Sequence, residues 1–311
     1  MGTTSLQRSA ESSPENKMKK GLSKIKLIFQ ALAMSLVIFT IFIAAYLLLK
    51  CTGQSLENNH LAGHNGQKYL RWLHSSHLNV ASLRPRAFAD IFRADSWNAG
   101  SMSAATDQVT RAGPGSSLEY TERVRSFLGN FFKSHNISRV ADMSCSELLW
   151  QPLIPGFGDL ELFVGFDIVP AAVERARARI EKLRSSSTRL PRQIKLEVTD
   201  FVSERLFGSF DLVIVRDTFF HLPPTDALIA LEHISASGSR FLGTTTIAIE
   251  SIRNSFILPG EWYPLNLQKP PFSFPSPLNS TVEGFPGADY FGSKLFAIWP
   301  LPLVMQSAEM L

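Results

Sequence analysis

Three aspartates each close a short apolar segment, and this pattern indicates a single ligand site. Asp142 ends the segment 140–142, Asp167 lies near the end of 163–168, and Asp200 follows 194–198. A carboxylate accepts hydrogen bonds from both hydroxyls of a ribose ring, and an acid after the second strand of a parallel sheet suits that task. One such aspartate is common in loops, but three in register predict a cofactor that carries a nucleoside.

The segments around these aspartates alternate between two patterns. Short apolar runs predict strands, and apolar residues on one face at a period of 3.6 predict helices. The predicted strands are 140–142, 163–168, 194–198, 210–215 and 240–246, and the predicted helices are 118–132, 170–183 and 225–234. This alternation predicts an α/β fold with a mostly parallel sheet covered on both faces, which binds ligands beyond the carboxyl ends of its strands.

Composition excludes several classes of protein. The chain has 311 residues and a formal net charge of +4. Five lysines lie between residues 17 and 26, so much of the positive charge is at the N-terminus. The sequence therefore predicts no basic face for a nucleic acid on the folded domain. The two cysteines, Cys51 and Cys145, are far apart and predict no disulfide framework. No cysteine or histidine cluster has the spacing of zinc ligands, so no metal site is predicted.

Residues 88–299 resemble the small class I S-adenosylmethionine-dependent methyltransferases, most of them uncharacterised bacterial proteins. The matching motifs are Phe88–Phe92 with Trp97, 113–119, Asp142–Cys145 with Trp150, Gly165–Val169, Phe210–Asp211, Arg216–Asp217, His221–Leu222, Thr244–Thr246, Gly260–Trp262, Pro264–Leu267 and Lys294–Trp299. The resemblance implies a Rossmann-like seven-stranded methyltransferase sheet with helices on both faces. It also implies S-adenosylmethionine as the cofactor.

The resemblance further implies a role for each residue that matches a family motif. The implied cofactor-binding residues are Asp142, Ser144, Cys145, Ser146, Asp167, Ile168, Asp200, Phe201, Gly115 and Ser116. Asp142 and the turn after it would lie against the methionine part, and Asp167 would take the ribose hydroxyls. Asp200 and Phe201 would border the adenine, and the loop 113–117 would lie near the amino-acid end of the cofactor.

One position departs from the family pattern. The family has Asp-x-x-Cys-Gly-Asp after the first strand, whereas this chain has Ser146 and Glu147 in the last two places. Glycine permits close backbone approach and a positive φ, and serine at a positive φ costs on the order of 1 kcal/mol. The departure predicts weaker cofactor binding and keeps a catalytically inactive protein as an alternative.

Three residues after the fourth predicted strand are candidates for catalysis: Arg216, Asp217 and His221. The resemblance implies this, because family members place substrate and catalytic groups there. Methyl transfer is an in-line displacement, and a hydroxyl nucleophile also needs a base. His221 is the candidate base because its ordinary pKa lies near neutrality, and Asp217 is placed to orient it. Alternatively, His221 caps the local backbone and Asp217 pairs with Arg216.

Residues 259–286 form a long segment rich in proline and aromatic residues. It is too long for a simple connection, which is typical of a loop that covers a substrate. Aromatic side chains beside Asn266 and Gln268 would suit stacking on a sugar ring. The equally weighted alternative is an insertion that packs on the sheet.

Residues 27–49 contain 23 positions without a charge and predict a transmembrane signal anchor. At 1.5 Å per residue a helix of this length spans about 34 Å, which exceeds the apolar stretch of a cleaved signal peptide. Five lysines precede the segment, and Lys50 alone follows it closely. The positive-inside rule therefore predicts a type II orientation with the C-terminal domain in the lumen of the secretory pathway, in the ER or Golgi.

These patterns predict five regions. They are a cytoplasmic disordered tail (1–26), the anchor (27–49), a stem (50–84), a methyltransferase-like domain (85–303) and a short tail (304–311). The four histidines of the stem have helical spacing but are more typical of a solvated segment than of a metal site. The glycosylation sequons at Asn136 and Asn279 are compatible with a luminal domain.

The expected function is that of a membrane-anchored S-adenosylmethionine-dependent O-methyltransferase that modifies a small molecule or a glycan in the secretory pathway. Two alternatives remain at this stage. One is a catalytically inactive methyltransferase-like protein that binds a partner. The other is an enzyme that faces the cytoplasm and methylates a lipid or a protein.

Overall fold

Seven strands form one mixed sheet in the computed structural model, which describes residues 80–98, 110–206 and 208–303. The strands are β1 (Arg139–Asp142), β2 (Leu162–Asp167), β3 (Gln193–Val198), β4 (Leu212–Val215), β5 (Phe241–Ile247), β6 (Asn279–Val282) and β7 (Lys294–Pro300). Their spatial order is β3-β2-β1-β4-β5-β7-β6. Strands β1 to β5 pair in parallel, and β7 runs antiparallel between β5 and β6.

The strand order reverses between β1 and β4, and this reversal places the site. The chain builds outward from β1 to β3 and then returns to start β4 on the other side of β1. Loops after neighbouring strands therefore diverge at this point and leave a crevice at the carboxyl edge of the sheet. Asp142 lies opposite Gly165 of β2 and Ile214 of β4, which puts the end of β1 at the centre of this edge.

Helices cover both faces of the sheet. They are α1 (Val80–Ala94), α2 (Glu122–His135), α3 (Pro170–Ser185) and α4 (Pro224–Ser235). Leu212 and Ile214 of β4 pack in one core with α2, while Val213 and Val215 pack in the other core with α4. A strand buried on both faces reads as a continuous apolar run, which explains why 210–215 has no polar alternation.

The observed elements confirm the predicted alternation and the seven-stranded Rossmann-like sheet, with ends shifted by a few residues. Helix α2 begins at Glu122 rather than at 118, because residues 114–121 form a short 3-10 helix and turns. Helix α1 was not predicted, and it runs across the predicted boundary between residues 84 and 85. Part of the predicted stem therefore packs with the sheet.

The membrane prediction concerns residues that the structure does not describe. Across 80–98, 110–206 and 208–303, none of the helices combines the length and apolarity needed to cross a bilayer. The predicted anchor at 27–49 and the stem histidines lie outside these residues. So do the N-terminal tail and the tail at 304–311.

Candidate functional site

A cleft of about 1180 Å³ opens at the carboxyl edge of the sheet, at the reversal of strand order. Ligand sites for drug-sized molecules measure roughly 300–1,000 Å³, so this cleft has room for a cofactor together with part of an acceptor. The predicted residues on its wall are Gly115, Ser116, Ser144, Cys145, Ser146, Asp167, Ile168, Asp200, Phe201, Arg216, Asp217 and His221. The fold thus brings together residues from six separate segments.

Asp167 ends β2 and presents its carboxylate to the cleft. The backbone N–H groups of Ser146 and Val169 donate to its two oxygens at 2.9 Å each. Burial raises the pKa of Asp167 to about 6, although these backbone hydrogen bonds oppose the shift. Each oxygen keeps a lone pair, so the carboxylate can still accept two hydroxyl donors from a ribose.

Asp142 lies behind the turn rather than on the cleft wall. Its side chain is almost fully buried, and it accepts hydrogen bonds from Gln151 Nε2 at 2.8 Å and the Ser144 N–H at 3.2 Å. Burial raises the pKa of Asp142 to about 6, and nearby Asp167 adds to this shift. Asp142 therefore shapes the turn and contributes negative charge beneath it, but it does not contact the open space directly.

Ser146 adopts the left-handed conformation that the departure from the family pattern called into question. Its φ is +49°, so the Cβ is accommodated in a region that favours glycine. The turn survives because Ser146 donates its N–H to Asp167 and because its neighbour Glu147 is firmly held. Glu147 accepts 2.7 Å hydrogen bonds from the Arg111 N–H and from Arg175 Nη1.

Asp200 and Phe201 both line the cleft, but Asp200 is already engaged. Arg84 of α1 donates to the Asp200 carboxylate at 2.8 Å and to Asp226 at 2.9 Å. The Arg84 guanidinium is nearly fully buried between these two acids. Asp200 thus ties α1 to the wall of the predicted adenine pocket, which leaves Phe201 and the backbone as the free surfaces there.

The loop 113–117 lies close to the end of β4. A Cβ placed on Gly115 would approach Asp217 Oδ2 to 2.8 Å, which is too close for a side chain. Gly113 has a φ of +86° and packs against Trp97. Both glycines are therefore needed for the loop to close over the cleft wall.

Four charged side chains form a buried cluster at the ends of β4 to β7. Arg216 Nη2 contacts Glu283 Oε2 at 2.8 Å and Asp217 Oδ2 at 3.3 Å. Lys294 Nζ contacts Asp217 Oδ1 at 2.9 Å and lies 3.7 Å from Glu283 Oε2. Thr245 of β5 donates to Glu283 at 2.8 Å and accepts from the Asp217 N–H at 3.1 Å. Two cations and two anions make this cluster, which we call the charge cluster, neutral overall.

The charge cluster favours the ionised forms of Asp217 and Lys294. Burial alone would raise the pKa of Asp217, but Arg216 and Lys294 lower it below its ordinary value. Burial alone would lower the pKa of Lys294, but Asp217 and Glu283 raise it. Asp217 is therefore a weak base, and its contacts favour a role in positioning rather than in proton removal.

His221 has one ring nitrogen fixed and the other unassigned. Nδ1 lies 2.8 Å from the Glu261 carbonyl oxygen, which only accepts, so the hydrogen bond assigns the proton to Nδ1. The ring packs against Trp97 with centroids 5.0 Å apart. Burial lowers the pKa of His221, so the neutral form with a free Nε2 lone pair dominates at neutral pH. This is the state that a general base requires.

The segment 259–286 divides between the two predicted roles. Tyr263, Leu265, Leu267, Phe272 and Phe274 are buried in the core, so most of the segment packs on the sheet. Only its two ends, through Trp262 and Phe285, reach the cleft wall.

Asn266 and Gln268, the polar residues beside the aromatic side chains predicted to stack on a sugar, lie away from the cleft. Asn266 is buried and donates to the Ile249 carbonyl oxygen at 3.1 Å. Gln268 lies outside the cleft. Neither residue is placed to contact an acceptor in the cleft.

Several cleft residues were not predicted. Tyr120, Glu147, Trp150 and Lys294 line the wall, and Glu283 lies behind it. Lys294 carries a recognisable signal, because it is the one charged residue directly before the apolar run 295–299. A lysine at the start of a buried strand must find partners, and it finds them in Asp217 and Glu283. Within the described residues, no group of three or more His, Cys, Asp or Glu side chains is arranged to hold a metal ion.

Comparison with known proteins identifies the fold. No protein-family model matches the chain, and no curated protein sequence matches it. Among solved structures, magnesium protoporphyrin IX methyltransferase from Synechocystis PCC 6803 with bound S-adenosylmethionine matches with a TM-score of 0.50 and 15% identity, over 73% of this chain and 99% of that chain. The same enzyme with bound S-adenosylhomocysteine matches with a TM-score of 0.50 and 14% identity, over 70% and 99%. The N-methyltransferase NodS from Bradyrhizobium japonicum WM9 matches with a TM-score of 0.44 and 15% identity, over 67% and 99%. The two matches with a TM-score of 0.50 show that the chain has the fold of the class I S-adenosylmethionine-dependent methyltransferases.

Proposed function

We propose that the protein is an S-adenosylmethionine-dependent methyltransferase that methylates an oxygen atom of its acceptor. The observation that carries this proposal is the pair of buried carboxylates, Asp142 and Asp167. They lie at the carboxyl edge of a sheet that has the strand order of the class I methyltransferase fold. Within the described residues neither carboxylate has a salt bridge to a cation. A ligand with positively charged ammonium and sulfonium groups and a ribose supplies what this pair lacks.

S-adenosylmethionine, when bound, supplies an electrophilic methyl group on a sulfonium. The chain supplies the rest: Asp167 holds the ribose hydroxyls, the turn 143–146 holds the methionine part, and His221 Nε2 takes the proton of an acceptor hydroxyl. The acceptor oxygen then bonds to the methyl carbon as its bond to sulfur breaks, and the electron pair stays on sulfur. The solved relatives with this fold contain this cofactor or its product, which supports the choice of ligand.

Calorimetric titration of the full chain tests the cofactor directly. We expect S-adenosylmethionine and S-adenosylhomocysteine to bind, and adenosine to bind more weakly because it lacks the ammonium group. Absence of heat at millimolar concentrations of both cofactor forms would remove the proposal.

The second candidate is a catalytically inactive protein of the same fold, and Ser146 favours it. A side chain at φ +49° in the cofactor turn costs on the order of 1 kcal/mol, which corresponds to a several-fold loss of affinity. The test incubates the protein and methyl-labelled cofactor with a cell extract and searches for labelled acceptors by mass spectrometry. Cofactor binding without any labelled acceptor would support this candidate.

Membrane anchoring and a luminal site remain part of the proposal and rest on the sequence alone. Asn279, at the start of the edge strand β6, has an exposed side chain. A mass shift after endoglycosidase treatment of the cellular protein, lost in Asn279→Gln and Asn136→Gln together, supports a luminal domain. An unglycosylated protein whose domain is digested when the plasma membrane is permeabilised and the organelles stay intact would place the domain on the cytoplasmic side.

A further inference from the structure

Five aromatic side chains and one ammonium group surround the acceptor side of the cleft. From their arrangement we infer that the acceptor is a planar aromatic molecule whose methylated oxygen ionises, either a phenol or an aromatic carboxylic acid. The inference rests on the proposed methyltransferase function and names the acceptor class for the same cleft.

The five rings, which we call the aromatic arc, form two groups: Phe285 with Tyr120, and Phe220 with Trp262 and Tyr290. Ring centroids are 6.0 Å apart between Tyr120 and Phe285, 6.1 Å between Phe220 and Trp262, and 5.6 Å between Trp262 and Tyr290. Lys294 Nζ joins the two parts of the arc, because it lies 4.8 Å from the Tyr120 ring and 5.4 Å from the Phe220 ring. All six side chains line the cleft.

The outer rings of the arc expose a large apolar surface. Trp262 is 45% exposed, Tyr290 is 38% exposed and Phe285 is 36% exposed. Rings on a cleft wall offer flat faces with little conformational entropy to lose, and they favour offset stacking on another ring. Trp262 and Tyr290 lie at an interplanar angle of 36°, so they leave an oblique surface rather than closing on each other. This surface favours a planar partner.

The inner part of the arc discriminates by charge. Aromatic cages often bind cations, but here Lys294 already lies over the Tyr120 and Phe220 rings, so the protein's own cation takes the place of a ligand cation. Among the described residues, its hydrogen-bond partner is the Asp217 carboxylate, and Glu283 at 3.7 Å is too far for a hydrogen bond. An ammonium has three donors, so at least one remains for an oxygen of the acceptor.

Lys294 and His221 both line the cleft and border the same ring of its wall, Phe220. The Phe220 ring lies 5.4 Å from Lys294 Nζ and 4.8 Å from the His221 ring, so a single side chain separates the two groups. A cation beside a phenol lowers the pKa of the hydroxyl, and the His221 Nε2 lone pair can receive the proton. A carboxylate arrives ionised and needs Lys294 but not His221. The two acceptor types therefore differ in their dependence on His221.

Binding of four matched probes to the full chain saturated with S-adenosylhomocysteine tests the inference. The probes are 2-naphthol, 2-naphthoic acid, 2-naphthylmethylamine and methyl glucoside, and the measurement is calorimetry. We expect heat from the naphthol or from the naphthoic acid, and none from the amine or the sugar. Binding of the amine or the sugar as tight as that of both oxygen probes would overturn the inference, and so would absence of binding by both oxygen probes.

Substitutions then locate the binding site. Trp262→Ala should weaken the bound aromatic probe about 10-fold, while the control Phe256→Ala should not change it. Phe256 suits this control because it is 66% exposed and lies outside the cleft. Lys294→Met should weaken the probe about 10-fold, whereas the control Lys269→Met, which loses a partner in Glu250 outside the cleft, should not.

Two readouts keep the tests independent. Titration of S-adenosylhomocysteine into each variant comes first, so a failure to bind it would count against the methyltransferase proposal and not against the acceptor class. Should Lys294→Met fail to fold, the exposed position of Trp262 still decides the question. Equal probe affinity in wild type and Trp262→Ala would contradict the inference.

His221→Gln distinguishes the two acceptor types. Methylation of a phenol acceptor should fall steeply in this variant and lose its dependence on a group with a pKa below 6.5. Methylation of a carboxylate should change by less than about threefold, since no proton is removed.

Discussion

The two halves of the cleft handle buried charge in opposite ways. In the cofactor half, at the ends of β1 and β2, Asp142 and Asp167 have polar donors but no salt bridge to a cation among the described residues. In the acceptor half, at the ends of β4 to β7, Arg216, Asp217, Glu283 and Lys294 neutralise one another. Burial is similar in both halves, so the difference lies in the pairing of charges.

This difference shows which half needs a ligand to be complete. Unpaired buried carboxylates shift their pKa upward, because the protein interior disfavours their charged form. A cationic ligand reverses that penalty and gains binding free energy from it. Paired charges gain nothing comparable from a ligand, so the acceptor half is built in advance and discriminates by shape and by a remaining donor of Lys294.

The largest effect should follow from breaking the charge cluster. Glu283→Leu removes one of the two anions of the charge cluster, so Arg216 keeps only its weaker partner, Asp217, and the buried cluster becomes positively charged. We therefore expect a loss of about 3–5 kcal/mol in the free energy of unfolding. Urea denaturation measures this loss. Glu250→Leu is the control, because Glu250 is 91% exposed and, among the described residues, has a salt bridge to Lys269 alone. A change below about 1 kcal/mol in Glu283→Leu would mean that the cluster is not a stabilising unit.

The cofactor half should respond in affinity, unlike a control at the opposite edge of the sheet. Asp167→Asn removes the charge and leaves one backbone N–H facing an amide NH2, so affinity for S-adenosylmethionine should fall about 10- to 100-fold and the unfolding free energy by about 1–3 kcal/mol. Asp211→Asn is a matched control. Asp211 also accepts two backbone N–H bonds, from Ser138 and Arg139 at 2.9 Å, but it lies at the opposite edge of the sheet. Equal losses of affinity in both variants would remove the distinction between the halves.

Acidification should also separate the halves. Asp142 and Asp167 each have a pKa of about 6, so they protonate as pH falls from 7.5 to 5, and cofactor affinity should drop about 10-fold or more. Because these folded-state pKa values lie above the ordinary 3.8, both groups destabilise the ligand-free protein above about pH 6, and this penalty disappears below about pH 4. Asp217 and Lys294 shift in the directions that keep them charged, so these two members of the charge cluster should not titrate in this range. Cofactor affinity that is constant from pH 7.5 to 5 would contradict the inference that Asp142 and Asp167 are buried carboxylates without a cationic partner.

The smallest effect should come from restoring the glycine of the family pattern. Ser146→Gly relieves a left-handed serine, and we expect affinity for S-adenosylmethionine to rise several-fold, with an unfolding free energy changed by less than about 1 kcal/mol because glycine is also more flexible when unfolded. Ser146→Ala keeps the Cβ and serves as the comparison. A gain in Ser146→Ala equal to that in Ser146→Gly would assign the effect to the hydroxyl instead of the backbone.

Local patterns were sufficient to predict the parallel part of the sheet and the acids at its strand ends. Strand β4 is a run of apolar residues, and the acid that ends β2 follows directly from its own strand, so both features are visible within a few residues of sequence. The family pattern has a glycine where this chain has Ser146. The sequence therefore also indicated that a positive φ at this position would weaken cofactor binding. These features depend on neighbours in the chain.

The acceptor side was less predictable because its contacts are distant in sequence. Arg216 meets Glu283 across 67 positions, and Lys294 meets Asp217 across 77 positions. Asp142 was expected at the ligand, but the chain turns so that its carboxylate points at Gln151 instead. Asn266 illustrates the same limit. Its side chain is oriented by hydrogen bonds to the backbone of the loop, and no periodic pattern in the sequence predicts such contacts.

Helix α1 sets where a fragment of this protein can begin. Its Arg84 lies between Asp200 and Asp226, which come from opposite sides of β4 in the sequence. A recombinant fragment that starts at residue 85 would leave two acids facing each other in a dry interior, with no guanidinium between them. Protein engineers who want the smallest autonomous folding unit should therefore start it upstream of Val80, even though the sequence there reads as a connecting stalk.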